Sequence, residues 1–182
     1  DRLFVVADGK MKLFQHAAGG REVLLDLLSR GEFFGTLTVL GAETYPDTAV
    51  AQTPACILSI RAGEFEEILQ AHPALALKAL KMMTDRLADA HERVRQLSSY
   101  PAEKRIAVTL LKLVRKFGHQ QEGMLLIDVP LSRDDLAEMT GTTPETASRI
   151  ISQFQTAGLL TSGRQWIGVL EIDRLEKEAE LD

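Results

Sequence analysis

With 182 residues, 45% of them hydrophobic, the chain can bury a real core and is long enough for two compact units. A single cysteine, Cys56, excludes an intrachain disulfide framework. Neither a bilayer-length apolar run nor a basic-then-apolar leader is seen, so a cytoplasmic protein with no membrane partner is expected. The net charge of −5 excludes a broad cationic footprint, so any DNA contact must rest on a few placed cations, of which Arg133, Arg149 and Arg164 are the obvious ones.

Residues 3 to 60 read as strands, at Leu3–Val6, Met11–Phe14, Val23–Leu28, Thr48–Ala51 and Ile57–Ile60, separated by Gly9, Gly19-Gly20, Gly31 and Gly35. This is a small antiparallel β unit. The chain opens directly in a strand with no capping element before it, which points to further N-terminal residues in the full protein. Gly31-Glu-Phe-Phe-Gly35 predicts a tight corner, with Phe33 and Phe34 as core, leading into a short helix over Thr36–Leu40. Such a corner can also offer backbone N–H groups to a phosphate.

After Pro73 comes the longest helical stretch, with Leu80, Met83, Leu87, Ala90, Val94 and Leu97 spaced alternately by three and four. That spacing is a heptad seam flanked by charge, and it favours two parallel helices over one helix lying on its own sheet. A homodimer is expected. Ser98-Ser-Tyr-Pro101 breaks the chain into domains, and a helix over Ala102–Lys116 with Ile106, Leu110, Leu111 and Val114 inward opens the second unit, followed by a short strand over Met124–Val129. The expected divisions are 1–72, 73–99 and 100–182.

Leu131 to Leu160 reads as two short helices joined by a tight turn. Ser132 caps the first, Asp135 completes a capping box, Leu136, Ala137 and Met139 face inward, and Gly141 supplies the positive φ that ends it. Thr143 caps the second, Pro144 fills its first position, and Ala147, Ile150, Ile151 and Phe154 form its inner face. Glu145, Ser148 and Arg149 are left outward at its N-terminal end. A carboxylate suits a cytosine amino group and a guanidinium suits guanine O6 and N7, so these residues are the candidate base readers of a helix-turn-helix. A generic helix pair with a solvated Glu and Arg is the competing reading. Downstream, two short strands around a Ser162-Gly163 turn form a wing, and a charged helix over Leu170–Leu181 closes the chain.

In this order, the β unit, GEFFG at 31–35, PALALKALKMMTDRL at 73–87 and LSRDDLAEMTGTTPETASRI with the Gly163-Arg164 turn resemble the CRP/FNR family of bacterial transcription regulators over essentially the whole chain. The resemblance implies an α+β fold: an N-terminal effector-binding β-roll of the cyclic-nucleotide-binding jelly-roll kind, a dimerising helix, and a C-terminal winged helix-turn-helix that binds double-stranded DNA and contacts RNA polymerase. It also implies that Ser132, Arg133, Thr143, Ser162 and Arg164 touch phosphates, and that Gly35, Thr36, Leu37, Asp47, Thr48, Ala90 and His91 fall at the effector pocket. The family's cyclic AMP receptors carry a Glu where Thr36 stands and an Arg-Ser pair where Asp47-Thr48 stands. A carboxylate in place of that guanidinium reverses the sign of the interaction with a phosphate, so the cassette is unsuited to cyclic AMP held in the usual way. The Glu-x-x-Ser-Arg pattern of Glu145, Ser148 and Arg149 is similar to that of the oxygen-regulator branch, which implies a half-site like TTGAT rather than TGTGA.

No cofactor is expected. An iron–sulfur cluster needs four cysteines where only Cys56 is seen, and that residue reads as a small buried hydrophobe. His16, His72 and His91 sit in no haem-ligand motif. One rival keeps the DNA role but makes it constitutive, set by abundance or by oxidation of Cys56. A second is a small-molecule sensor or interaction module with a vestigial helix-turn-helix. An enzyme is the weakest class, because the only adjacent carboxylate pair, Asp134-Asp135, is explained by capping a helix.

Overall fold

The computed structural model describes residues 2–17, 22–36, 44–45 and 47–180, the side chain of Thr36 excepted. The chain divides into two compact units, 1–94 and 95–182, with the boundary inside the long helix.

The first unit is built on two antiparallel sheets. Strands β1 (Arg2–Asp8), β4 (Phe33–Thr36) and β6 (Cys56–Arg61) form one with β1 central; β2 (Met11–His16), β3 (Glu22–Leu28) and β5 (Thr48–Ala51) form the other with β2 central. Val6, Met11, Leu13 and Leu28 make a buried cluster, with Phe34, Ala49 and Ile57 packed on it. The expected Gly-flanked corner is instead a strand, since Phe33 and Phe34 pair with Val5 and Phe4. Phe34 stacks on Phe4 at 5.2 Å between centroids, and both Phe33 and Phe34 are only half-buried. Gly35 follows with φ 95°, where a Cβ would lie 2.8 Å from the Arg2 carbonyl oxygen and 2.9 Å from the Phe4 ring. The backbone approach explains this glycine without a ligand. The helix expected over Thr36–Leu40 lies outside the described residues. Cys56, expected to be buried, is exposed at the start of β6.

A helix absent from the sequence reading, α1 (Ala62–Ala71), follows β6 and is held at its start by the Glu64 carboxylate, which accepts from the Arg61 N–H at 3.0 Å and from its guanidinium at 2.6 Å. Helix α2 (Pro73–Ser99) then runs unbroken for 27 residues. None of its residues is buried. It touches the β unit through guanidinium groups: Arg86 donates to the Phe33 carbonyl at 2.6 Å and lies over the Phe33 ring, and Arg93 donates to the Leu24 carbonyl at 3.1 Å. The seam positions Leu80, Met83, Leu87, Ala90, Val94 and Leu97 are all exposed, Leu80 and Val94 at 64%. The apolar stripe is therefore open to solvent among the described residues.

The second unit begins with the last turn of α2 and the half-turn at Tyr100-Pro101. Tyr100 is buried there, with Arg95 and Lys104 over its ring at 5.1 and 5.2 Å. Helix α3 (Ala102–Phe117) buries Ile106, Leu110, Leu111 and Val114 as its spacing predicts. It packs against α4 (Arg133–Thr140), α5 (Pro144–Thr156) and α6 (Ile172–Ala179), the last through buried Leu175. A four-stranded sheet in the order β7 (Gly118–Gln121), β8 (Met124–Ile127), β10 (Trp166–Val169), β9 (Leu160–Gly163) completes the unit. The wing is thus the far half of a larger sheet. Its turn is Arg164-Gln165, with Gln165 at φ 63°, and not Ser162-Gly163, which pair within the β9–β10 hairpin.

Candidate nucleic-acid interface

The helix pair forms by local chemistry. Ser132 Oγ accepts from the Asp135 N–H at 3.0 Å, and the Asp135 carboxylate accepts from the Ser132 N–H at 2.9 Å and its hydroxyl at 2.6 Å, which satisfies the exposed donors at the start of α4. Leu136 and Ala137 are buried as expected; Thr140, and not Met139, completes that face, its hydroxyl bonded to the Leu136 carbonyl at 2.7 Å. At the turn, Gly141 adopts φ 60°, ψ 42°, and a Cβ there would run into the Leu97 side chain. Gly141→Ala should lower the stability of the protein by at least about 1–2 kcal/mol, the cost of a left-handed L-residue, read as a lower urea midpoint.

Thr143 caps α5 by accepting from the Thr146 N–H at 3.2 Å, and Pro144 takes the first helical position. Ala147, Ile150, Ile151 and Phe154 are all buried, which fixes the rotation of α5 about its axis. Glu145 and Arg149 consequently face solvent and Ser148 lies half-buried beside them. The backbone N–H of Glu145 and the Thr143 hydroxyl hold the Glu145 carboxyl below its ordinary pKa, so it is an acceptor at neutral pH. The Arg149 guanidinium donates to Gln153 Oε1 at 3.4 Å and pairs with Glu103 Oε1 at 3.5 Å. Glu103 is on no local motif with Arg149, and the sequence reading missed it.

The phosphate candidates divide into two kinds. Ser132 and Thr143 are engaged as caps, Ser132 with its hydroxyl proton directed at Asp135. Arg133 reaches the wing, donating to Ser162 Oγ at 2.7 Å, while the Leu131 N–H donates to the Gln165 carbonyl at 3.2 Å. These two bonds fasten the wing to the start of α4. Burial lowers the Arg133 pKa from its ordinary value, though a guanidinium stays charged at neutral pH. Arg164 stands exposed at the tip of the wing.

Two family models match: a Crp-like helix-turn-helix domain over residues 104–178 and a cyclic nucleotide-binding domain over residues 1–72. A cyclic AMP receptor protein of Thermus thermophilus is 31% identical over 177 residues, covering 97% of this chain and 79% of that one. This chain belongs to the CRP/FNR family of transcription regulators. A transcriptional activator protein, FnrL, of Cereibacter sphaeroides is 29% identical over 179 residues, covering 96% of this chain and 71% of the other. FixK2 of Bradyrhizobium japonicum has the same fold, with a TM-score of 0.85 at 23% identity, covering 100% of this chain and 89% of that one. As a CRP/FNR protein the chain is a DNA-binding transcription regulator with a cyclic-nucleotide-binding fold ahead of its long helix and helix-turn-helix.

The expected effector residues of this CRP/FNR chain are dispersed among elements. Gly35 and Thr36 end β4 on one sheet, and Asp47 and Thr48 lie at the start of β5 on the other. Leu37 lies outside the described residues. Ala90 and His91 are exposed on α2. Asp47 accepts from Gln15 Nε2 at 2.8 Å, so the position that would need a cation for a cyclic phosphate holds a carboxylate bonded to a neutral amide. A cavity of about 220 Å³ does open in the first unit, lined by Val5, Phe33, Ile60, Phe65, Leu69 and Met82 among others; Gly35, Asp47, Thr48, Ala90 and His91 do not line it. His16 is exposed, set edge-on to the Phe14 ring, and His72 is exposed at the end of α1.

Proposed function

We propose that this regulator acts as a homodimer joined along the α2 seam. Each copy sets α5 into a major groove of a TTGAT-like palindrome, and regulation is either constitutive or by an effector other than conventionally held cyclic AMP. One observation carries the reading: four fully or nearly fully buried side chains fix the rotation of α5, and that rotation sends Glu145 and Arg149 outward at the end of the helix that enters a groove. The dimer is supported by the exposed seam, since an apolar stripe of this length left open to solvent is the mark of an interface. Two-fold symmetry would then place two reading helices about one helical turn of DNA apart. In this arrangement RNA polymerase would be the further partner at promoters, as the family resemblance implies. The Asp47–Gln15 bond supports the exclusion of the usual cyclic AMP pose.

Fluorescence anisotropy at fixed salt with a TTGAT palindrome, a TGTGA palindrome and a scrambled duplex tests the reading. The TTGAT duplex should bind tightest, and equal affinity for all three would refute it. Effector binding without DNA binding at low salt would favour the sensor with a vestigial reader. Arg133→Ala should weaken binding to every duplex alike and reduce the slope of log affinity against log salt by roughly one, the loss of a single phosphate contact. A change in base preference would show instead that loosening the wing disturbs reading.

A further inference from the structure

We propose that Glu103 is a positioning residue for base reading: its carboxylate holds the Arg149 guanidinium at the angle from which the remaining donors of the fork meet a guanine edge. This rests on the DNA-reading role of α5 and adds to it a residue from outside the helix-turn-helix.

Glu103 lies in the first turn of α3, two residues after Pro101, and its Oε1 is 3.5 Å from a terminal nitrogen of Arg149, 46 residues later in sequence. The other terminal nitrogen of Arg149 donates to Gln153 Oε1 at 3.4 Å, one turn further along α5. A long side chain on an exposed helix face ordinarily samples many rotamers, and fixing it at the moment of binding costs free energy. Here a charged acceptor on one side and an amide oxygen on the other hold the planar group before DNA arrives. Each uses one donor of a terminal nitrogen, and guanine O6 and N7 are met by the donors that remain.

In the DNA-free protein the pair is weak, because the side chains are 56% and 45% exposed and water screens them. A groove wall that excludes water strengthens the same attraction, so Glu103 contributes most in the specific complex. In a non-specific complex its carboxylate faces phosphates and repels them. Both effects act in one direction on the ratio of specific to non-specific affinity.

The test is Glu103→Gln, alone and in an Arg149→Ala background, with affinities for the cognate palindrome and a scrambled duplex measured at one salt concentration. Glu103→Gln alone should lower cognate affinity about two- to five-fold and leave scrambled affinity unchanged or raised. In the Arg149→Ala background the ratio should fall by less than in the single variant, because only the repulsion of phosphates is then lost. An unchanged ratio in the single variant, or an equal fall of the ratio without Arg149, overturns the proposal, since the first denies any effect on reading and the second an effect through Arg149. Guanidinium ¹⁵N NMR of the DNA-free protein gives a separate readout: rotation about the Arg149 Nε–Cζ bond should be slower in the wild type than in Glu103→Gln. Equal rotation overturns the positioning role even where DNA reading stands. A wild type without preference for the palindrome removes the reading itself, whatever the NMR shows.

Discussion

Leu87→Asp should turn the regulator into a monomer and lower its affinity for a palindromic site by about 10²–10⁴-fold, the loss that follows when two linked half-site contacts become independent. Leu87 is 56% exposed in the single chain, so the substitution removes little from the core of either unit. In the proposed dimer the seam meets its own copy, and Leu87 is replaced twice. Losing the burial of two leucine side chains costs about 3–6 kcal/mol of association. Two carboxylates facing across the two-fold axis add repulsion. Sedimentation equilibrium gives the oligomeric state and anisotropy the DNA affinity. Retention of the dimer would show that α2 is not the interface, and a monomer that keeps full palindrome affinity would show that the interface is not needed for reading.

Arg149→Ala should reduce affinity for the cognate palindrome by about 5- to 150-fold per half-site, corresponding to roughly 1–3 kcal/mol for a bidentate guanine contact. The loss should be confined to one base pair of each half-site. Competition with duplexes substituted at each position in turn would show discrimination abolished at the guanine and retained where Glu145 reads. The side chain is exposed and, among the described residues, its polar contacts are the long ones to Gln153 and Glu103, so its removal should leave thermal unfolding nearly unchanged. A uniform fall in affinity across all positions would make Arg149 a phosphate contact and move base reading elsewhere.

The helix-turn-helix was legible in the sequence because its signals are local and stereochemical. Ser132, Asp135, Gly141, Thr143 and Pro144 each have one favourable place at a helix end, and the structure puts each there. Helix α1 was missed because its apolar residues, Phe65, Ile68 and Leu69, are few and only half-buried, so its periodicity is faint. Strand β7 was missed for a related reason: Gly118–Gln121 is polar and exposed throughout, and only backbone pairing with β8 makes it a strand. The wing turn was misplaced because glycine is the usual residue at positive φ, whereas here Gln165 takes that conformation and Gly163 pairs with Trp166. Contacts across long sequence separations, such as Glu103 with Arg149 and Arg133 with Ser162, have no local pattern and emerge only once the helices are packed. The effector residues were placed by resemblance alone, and the chemistry at Asp47 departs from the pattern that the resemblance supplied.

The most direct measurement of the proposed dimeric reader is affinity as a function of the spacing between two TTGAT arms. If a two-fold dimer presents both α5 helices to one face of the duplex, affinity should peak at a single spacing. Inserting half a helical turn, about 5 base pairs, should then abolish tight binding by carrying one arm to the far side. Affinity indifferent to that insertion would contradict the paired reading.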